Sequence, residues 1–224
     1  MIDLAGKHIV ITGAAGALGA AVADRALELG ARPILVDFKT FPASVEERQV
    51  TVDLTDAAAT RDALAGIGAI DALFHIAGGF DMGPAVYETT PNLFARMMTI
   101  NVATLQNAVT AVVPTMLARG RGKIVTVGAL SAVKGLPRMG AYCAAKSAVM
   151  RLTESLSGEL RDNGINVNGV LPSLIDTPAN RRDMPDADFS RWVSPRQLAD
   201  VICFLGSDAA AAVHGALIPV TGRV

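Results

Sequence analysis

The sequence predicts a single α/β domain built around a doubly wound parallel sheet of about seven strands. Two observations carry this prediction. Short β-branched runs alternate with helical stretches along the whole chain, and a glycine-rich loop follows the first of these runs. A length of 224 residues with 51 % hydrophobic content suits one large domain over residues 1–224, with a core of its own.

The predicted strands are short apolar runs rich in valine, isoleucine and leucine. Such runs are typical of a parallel sheet that is covered on both faces. In chain order they are Lys7–Thr12, Arg32–Asp37, Gln49–Val52, Asp71–Ile76, Lys123–Val127, Ile165–Leu171 and Ala216–Val220.

Helical periodicity fills most of the segments between these strands. The predicted helices are Ala17–Leu29, a helix capped by Asp56 that runs through Leu64, about Asn92–Leu117, Ala141–Arg161 and Pro195–Leu205. The segment Asp176–Trp192 is rich in proline, arginine and aspartate and follows the sixth strand. Because ligands bind beyond the carboxyl ends of strands in open α/β sheets, we expect a substrate lid in this segment.

Composition excludes several classes of function. Lysine plus arginine total 20 and aspartate plus glutamate total 21, so a net charge of −1 gives no support for nucleic-acid binding. The uncharged stretch 97–118 is long enough to cross a bilayer, but it contains Asn101, Gln106 and Asn107, so a soluble helix is expected. Three scattered histidines and two cysteines without CxxC spacing predict no metal site and a reduced, cytoplasmic protein. No signal-peptide pattern precedes the first strand.

The loop TGAAGALG at 12–19 joins the first strand to the first helix. Glycines there let main-chain N–H groups approach a pyrophosphate closely, and the helix N-terminus adds partial positive charge. We therefore expect a dinucleotide site lined by Gly13, Ala15, Gly16, Leu18 and Gly19. A plain turn is the alternative for any glycine-rich loop taken alone.

Asp37 stands at the end of the second predicted strand, where an acid can bind the adenosine ribose hydroxyls of a dinucleotide. Its carboxylate would repel a 2′-phosphate, which favours NAD(H) over NADP(H). Lys39 lies close by and leaves that preference open. The alternative for Asp37 is a solvated strand end.

Tyr142 and Lys146 are four residues apart at the start of the long fifth helix. Residues at this spacing share a helix face, so the ammonium group is expected to lower the pKa of the phenol. Tyr142 would then exchange protons near neutral pH. An ordinary helix start with a surface lysine is the alternative.

Taken together, these motifs resemble the short-chain dehydrogenase/reductase family over nearly the whole chain. The carrying residues are TGAAGALG, Asp37, Asp53-Leu54, Ala77-Gly78, Asn101, Tyr142 with Lys146, and Pro172 with Ile175-Asp176-Thr177-Pro178. The resemblance implies a single Rossmann-type domain and a nicotinamide dinucleotide cofactor.

The resemblance also implies a role for each matching residue. Tyr142 would be the acid/base, Lys146 would bind the nicotinamide ribose, and Asn101 would support a proton-relay water. The implied cofactor contacts are Asp53 and Leu54 at the adenine, Ala77 and Gly78 along the cleft, and Pro172, Ile175 and Thr177 at the carboxamide.

Three positions depart from the family pattern. Ile76 stands where the family has asparagine, and Ser173 stands where it has glycine. The substrate-binding serine expected thirteen residues before Tyr142 is Ala129, with Ser131 nearby as a possible substitute. Loss of that hydroxyl would cost a carbonyl reductase about 2.7–4 kcal/mol of transition-state stabilisation.

The C-terminal half resembles the NADH-dependent dihydropteridine reductases, which lack this serine. The resemblance is carried by Ala77-Gly78-Gly79-Phe80, Ala129, the run 135–142 and the lid segment Asp176–Trp192. It implies a quinonoid dihydropterin substrate, on which hydride addition builds less charge on one oxygen, so that a tyrosine donor could suffice. Phe80 and Trp192 are candidates for stacking on its flat ring, with burial under a loop as the alternative.

The leading hypothesis is thus an NADH-dependent oxidoreductase with Tyr142 as proton donor. One alternative is a reductase or dehydrogenase of another carbonyl or alcohol that uses Ser131, and another is a non-catalytic dinucleotide-binding protein. The bare helices near 97–118 and 141–160 predict a homodimer or homotetramer, because uncharged helix faces seldom contact water and family members dimerise through these helices.

Overall fold

The computed structural model describes residues 2–41 and 47–224. Its centre is one sheet of seven parallel strands in the order β3-β2-β1-β4-β5-β6-β7, which confirms the predicted fold class. The strands are β1 (His8–Thr12), β2 (Arg32–Asp37), β3 (Arg48–Thr51), β4 (Ala72–His75), β5 (Gly122–Val127), β6 (Ile165–Pro172) and β7 (Leu217–Val220).

Seven α-helices connect and cover these strands in the described part of the chain. They are α1 (Ala17–Glu28), α2 (Ala57–Ala65), α3 (Pro91–Met98), α4 (Thr104–Arg119), α5 (Gly140–Leu160), α6 (Pro178–Asp183) and α7 (Pro195–Leu205). Helices α1 and α7 cover one face of the sheet, and α2, α4 and α5 cover the other. Alternate residues of β1 divide accordingly, with Ile9 and Ile11 in the first core and Val10 in the second.

The predicted continuous helix over about 92–117 is wrong in one respect. A π-helical turn, Thr99–Ala103, separates α3 from α4. Within this stretch Asn101 Nδ2 donates to Met97 O at 3.0 Å, and Thr104 Oγ1 donates to Ile100 O at 2.9 Å. Side-chain bonds of this kind compete with the regular helix ladder, and π-turns of this type often lie at functional sites.

The uncharged helical run belongs to the layered core. The stretch from Pro91 to Arg119 is apolar and long enough to cross a membrane by length and composition, which is weak evidence taken alone. The residues that α4 contributes to the core against α2 and the sheet are Leu105, Ala108, Val109, Val112 and Met116, all of them buried. Its apolar character is therefore explained by packing on the sheet.

Candidate active site

The N-terminus of α1 is built to receive an anion. Gly16 is its N-cap and offers no side chain, and the first turn contains no acidic residue. The N–H groups of Ala17, Leu18 and Gly19 meet no acceptor among the described residues. Three free donors at the positive end of a helix fit a pyrophosphate.

Two glycines bring this loop into close contact with its neighbours. Gly13 has a φ of +68°, and a Cβ on it would lie 2.8 Å from the amide nitrogen of Ala77. A Cβ on Gly19 would lie 2.1 Å from the carbonyl oxygen of Gly13. A side chain at either position would push the loop away from α1 or from Ala77 in the segment after β4. The glycine loop and the segment after β4 therefore pack together and form one wall of the cleft.

Asp37 is bound to the glycine loop. Its carboxylate is 6 % exposed and accepts from the N–H groups of Ala15 and Lys39, each at 3.0 Å. The alternative of a solvated strand end is therefore wrong. Lys39 is directed elsewhere, with Nζ 5.6 Å from the ring centroid of Phe38. The Asp37 carboxylate is thus fixed at the carboxyl end of β2, against the glycine loop.

Asp53 and Leu54 follow β3 beside Asp37, since the N–H of Val52 donates to the Asp37 carbonyl at 2.9 Å. Leu54 is buried, while Asp53 is exposed and accepts from the Thr55 N–H and hydroxyl. The structure thus places these two residues at the same edge of the cleft as Asp37.

Asn101 is buried and clamps the backbone after β4. Its amide accepts from Gly79 N and donates to Gly79 O, each at 3.1 Å. A Cβ on Gly78 would lie 2.7 Å from Asn101 Oδ1 and 3.2 Å from Lys146 Nζ. Gly78, Asn101 and Lys146 therefore meet at one point of the wall.

Lys146 is also buried, so the alternative of a surface lysine is wrong. Its Nζ donates to the Val127 carbonyl at 2.8 Å, at the end of β5. Burial lowers the pKa of its ammonium group to about 8. The lysine thus lies at the carboxyl edge of the sheet, where a ribose hydroxyl could reach it.

Tyr142 lies on the same face of α5 but behaves differently from the prediction. Burial first, and Cys143 second, raise the pKa of its phenol to about 12, whereas the spacing to Lys146 predicts a lowered value. The ammonium of Lys146 bonds to the backbone and not to the phenol. The Tyr142 hydroxyl has no hydrogen-bond partner among the described residues, and its ring packs edge-on against Phe80 at 4.9 Å between centroids.

The position that lacks a serine lies beneath this tyrosine. Ala129 is buried in an apolar cluster with Cys143, Met150 and Leu171, and Tyr142 packs against that cluster. Ser131 follows in a short 3₁₀ turn, and its carbonyl accepts from Cys143 Sγ at 3.4 Å. Its hydroxyl has no partner within the described ranges.

The remaining predicted residues follow β6. Pro172 ends that strand, Ile175 forms a parallel bridge with Val193, and Thr177 caps α6 by accepting from the Asn180 N–H at 3.2 Å. Helix α6 was not predicted, although Thr177-Pro178 is a helix-start signal.

Trp192 is only 7 % exposed and packs on Phe189 at 4.8 Å, so it is a core residue and does not stack on a substrate. Phe80 is 54 % exposed and remains available for that role.

Two site-supporting residues, His75 and Thr104, escaped the sequence analysis. The His75 imidazole lies between the hydroxyls of Thr12 and Thr104 at the base of this wall. The signal available was a polar residue at the carboxyl end of a buried strand.

A doubly wound sheet with this anion site, acid, lysine and tyrosine defines a nicotinamide-dinucleotide-dependent oxidoreductase. The family model for short chain dehydrogenase matches residues 7–188, and the chain belongs to this family.

Known dehydrogenases resemble this chain in sequence and in fold over nearly its whole length. The 2-(S)-hydroxypropyl-CoM dehydrogenase 3 of Xanthobacter autotrophicus is 30 % identical, over 98 % of this chain and 96 % of that protein. A gluconate 5-dehydrogenase from Burkholderia cenocepacia in complex with NADP and tartrate superposes with a TM-score of 0.91 at 28 % identity, covering 99 % and 96 % of the two chains. A carveol dehydrogenase from Mycobacterium avium in complex with NAD gives 0.88 at 26 % identity, covering 99 % and 98 %.

Proposed function

We propose that this protein is an NADH-preferring reductase in which Tyr142 donates the proton. The observation that carries the proposal is the position of that phenol. Its hydroxyl bonds to none of the described residues, and it stands on the same face of α5 as Lys146, whose Nζ lies at the Gly78 wall. Burial raises the pKa of the phenol to about 12, so a developing phenolate would need the Lys146 ammonium to stabilise it.

The bound nicotinamide would supply the hydride, and the protein's own residues would supply position and the proton. The free N–H groups of α1 would bind the pyrophosphate, and Asp37 the adenosine ribose. Lys146 would bind the nicotinamide ribose, and Asn101 would support a relay water to it. Pro172 at the end of β6, and Ile175 and Thr177 just after it, would hold the carboxamide.

A quinonoid dihydropterin is the proposed substrate. Ala129 gives no hydroxyl for a developing oxyanion, which suits a conjugated imine better than a simple ketone. The exposed ring of Phe80 beside Tyr142 offers a surface for a flat heterocycle.

A second candidate is reduction or oxidation of another carbonyl or alcohol. The names of the relatives favour it, since they are dehydrogenases of 2-(S)-hydroxypropyl-CoM, gluconate and carveol. In this case the unpartnered hydroxyl of Ser131 would bind the substrate oxygen. A non-catalytic dinucleotide-binding protein is the remaining alternative.

The test is NADH oxidation by the purified protein with freshly generated quinonoid dihydropterin, beside a panel of ketones and with NADPH in parallel. Rapid turnover of the pterin with NADH supports the proposal. Turnover of ketones alone would make a ketone, and not the pterin, the substrate. NADH binding without any turnover would favour the non-catalytic alternative.

Ala129→Ser separates the two substrate classes. The new hydroxyl is expected to raise kcat on a simple ketone by up to about 10²-fold, the value of one oxyanion donor, and to change pterin reduction less than about twofold. Steady-state rates on both substrates check this. Ser131→Ala is the companion variant, and a loss of ketone turnover in it would assign the oxyanion contact to Ser131 and contradict the pterin proposal.

Asp37→Asn tests the cofactor preference. The amide keeps an acceptor for the Ala15 N–H but removes the negative charge. We expect the ratio of kcat/KM for NADPH to that for NADH to rise about tenfold, because a unit charge near a 2′-phosphate is worth roughly 1.4 kcal/mol at intermediate dielectric. Asp62→Asn, at an exposed position on α2, is the matched control. An unchanged ratio in Asp37→Asn would remove Asp37 from the account of specificity.

We also propose that Asp176–Trp192 is a substrate lid. Around α6 the segment is held by the Asp176–Arg181 ion pair, at 2.5 and 2.7 Å, and by Arg181 over the ring of Phe189 at 4.7 Å. Exposed contacts of this kind are weak, so this part would move. The buried Trp192 would anchor the end of the segment.

The outer face of α4, with Leu117 41 % exposed, supports the proposal of a homodimer or homotetramer. The outer face of α5 is not free of charge, since it carries the exposed ion pair between Arg151 and Glu154. Light scattering of the purified protein decides the subunit number. The buried, unpaired cysteines Cys143 and Cys203 fit a cytoplasmic location.

A further inference from the structure

His75 is the last residue of β4, and it is buried behind the cofactor wall. Its Nδ1 lies 3.0 Å from Thr12 Oγ1, at the end of β1, and its Nε2 lies 3.5 Å from Thr104 Oγ1, at the start of α4. The imidazole thus spans three segments that come from distant parts of the chain.

The direction of the bond to Thr12 follows from the other partners of that hydroxyl. Thr12 Oγ1 accepts from the Ile76 N–H at 3.1 Å and from the Ala77 N–H at 3.2 Å. Both lone pairs are therefore used, and the hydroxyl proton has one acceptor left, His75 Nδ1. An unprotonated Nδ1 means that a neutral ring carries its hydrogen on Nε2.

The Nε2–H side faces the turn that carries Asn101. Thr104 Oγ1 donates to the Ile100 carbonyl at 2.9 Å, which leaves its lone pairs facing His75. Ile100 directly precedes Asn101 in the π-helical turn. Burial and the Lys146 cation lower the pKa of His75 to about 3, so the ring is neutral at physiological pH.

We propose that His75 is a positioning residue whose neutral Nε2–H imidazole places the cofactor wall through Thr12 and the Asn101 turn through Thr104. The proposal rests on the proposed function, since the wall and Asn101 serve the cofactor. Ala77 has little room to move towards the glycine loop, because its nitrogen lies only 2.8 Å from where a Cβ on Gly13 would be. A displaced Ala77 would therefore press on the glycine loop.

Two substitutions separate the two sides of the ring. In His75→Asn the side-chain oxygen falls near the former Nδ1 and still accepts from Thr12. In His75→Gln the amide reaches towards the former Nε2 and leaves the Thr12 hydroxyl without its acceptor. We expect the NADH Kd of His75→Asn to stay within about threefold of wild type, and that of His75→Gln to rise about tenfold. Equal Kd values for both variants and wild type would overturn the proposal.

The Thr104 side has a matched control. Thr153 is buried like Thr104, donates to the carbonyl four residues earlier at 2.8 Å, and shares a hydrogen bond with Thr126. Thr104→Val is expected to lower kcat about threefold to tenfold by releasing the Asn101 turn. Thr153→Val is expected to lower the melting temperature about as much as Thr104→Val does, and to leave kcat unchanged. Equal kcat losses in the two variants would reduce Thr104 to a core residue and overturn its part in the proposal.

Nitrogen NMR of histidine-labelled wild-type protein reads the tautomer directly. We expect one Nε2–H signal set for His75 that does not titrate between about pH 5 and 8. A titrating ring, or an Nδ1–H tautomer, overturns the positioning role alone. Wild-type protein that does not bind NADH overturns the proposed function, and the positioning role with it.

Discussion

Tyr142→Phe is expected to lower turnover about 10²–10⁴-fold and to change the NADH Kd less than about threefold. The phenol hydroxyl bonds to none of the described residues, so its removal leaves the wall of the cleft intact. The phenyl ring keeps the edge-on contact with Phe80. Single-turnover rates at saturating NADH, together with a binding titration, separate the two quantities.

The other tyrosine provides the control. Tyr87 is 89 % exposed in a short 3₁₀ turn, and Tyr87→Phe makes the same chemical change on a side chain that faces solvent. We expect its turnover to match that of wild type. Turnover of Tyr142→Phe within a few-fold of wild type would show that the proton comes from another group.

Lys146→Met is expected to abolish most turnover and yet to stabilise the fold. Burial lowers the pKa of this ammonium from 10.5 to about 8, so at pH 7 the folded state bears the full cost of a buried charge. Methionine removes that cost and loses one hydrogen bond to Val127. We expect the free energy of unfolding near pH 7 to rise by about 1–3 kcal/mol.

The pH dependence of the unfolding free energy tests independently whether the buried Lys146 charge destabilises the fold. Between pH 8 and 10.5 the unfolded lysine holds a proton that the folded one has released, so the Lys146 contribution to stability rises with pH in that window. Urea denaturation at pH 7 and near pH 10 would measure how the unfolding free energy changes with pH in wild type and in Lys146→Met. The difference between the two changes isolates the Lys146 contribution, because other buried groups, such as Cys203, titrate equally in both proteins. Lys134→Met, at an exposed position, should resemble wild type at both pH values. A destabilised Lys146→Met would contradict a costly buried charge.

Local sequence patterns carry most of the fold. Apolar runs and helical periodicity place all seven strands and five helical stretches within a residue or two of their observed bounds. The interruption at Thr99–Ala103 escapes them, because it depends on the Asn101 amide bonding to Gly79, 22 residues away. Helix α6 is six residues long, which is too short for periodicity to reveal.

Sequence patterns likewise predict one part of the candidate site and miss another. Spacing places Tyr142 and Lys146 on one helix face, and strand ends place Asp37 and Gly78 at the cleft. The direction of the Tyr142 pKa shift was wrong, since spacing carries no information on burial. His75 was missed because its main partner, Thr12, lies 63 residues away on another strand.

The central claim is hydride transfer to a bound substrate with Tyr142 as proton donor. The most direct measurement compares single-turnover oxidation of NADH with that of NADH deuterated at nicotinamide C4, in the presence of the quinonoid dihydropterin, for wild type, Tyr142→Phe and Tyr87→Phe. The hydrogen that this substrate gains lies on a ring nitrogen and exchanges with water, so the isotope is read in the rate and not in the product. We expect deuteration to slow the turnover of wild type and of Tyr87→Phe, and almost no turnover by Tyr142→Phe at equal NADH occupancy. A rate that deuteration leaves unchanged, or turnover by Tyr142→Phe as fast as that of wild type, would contradict the account.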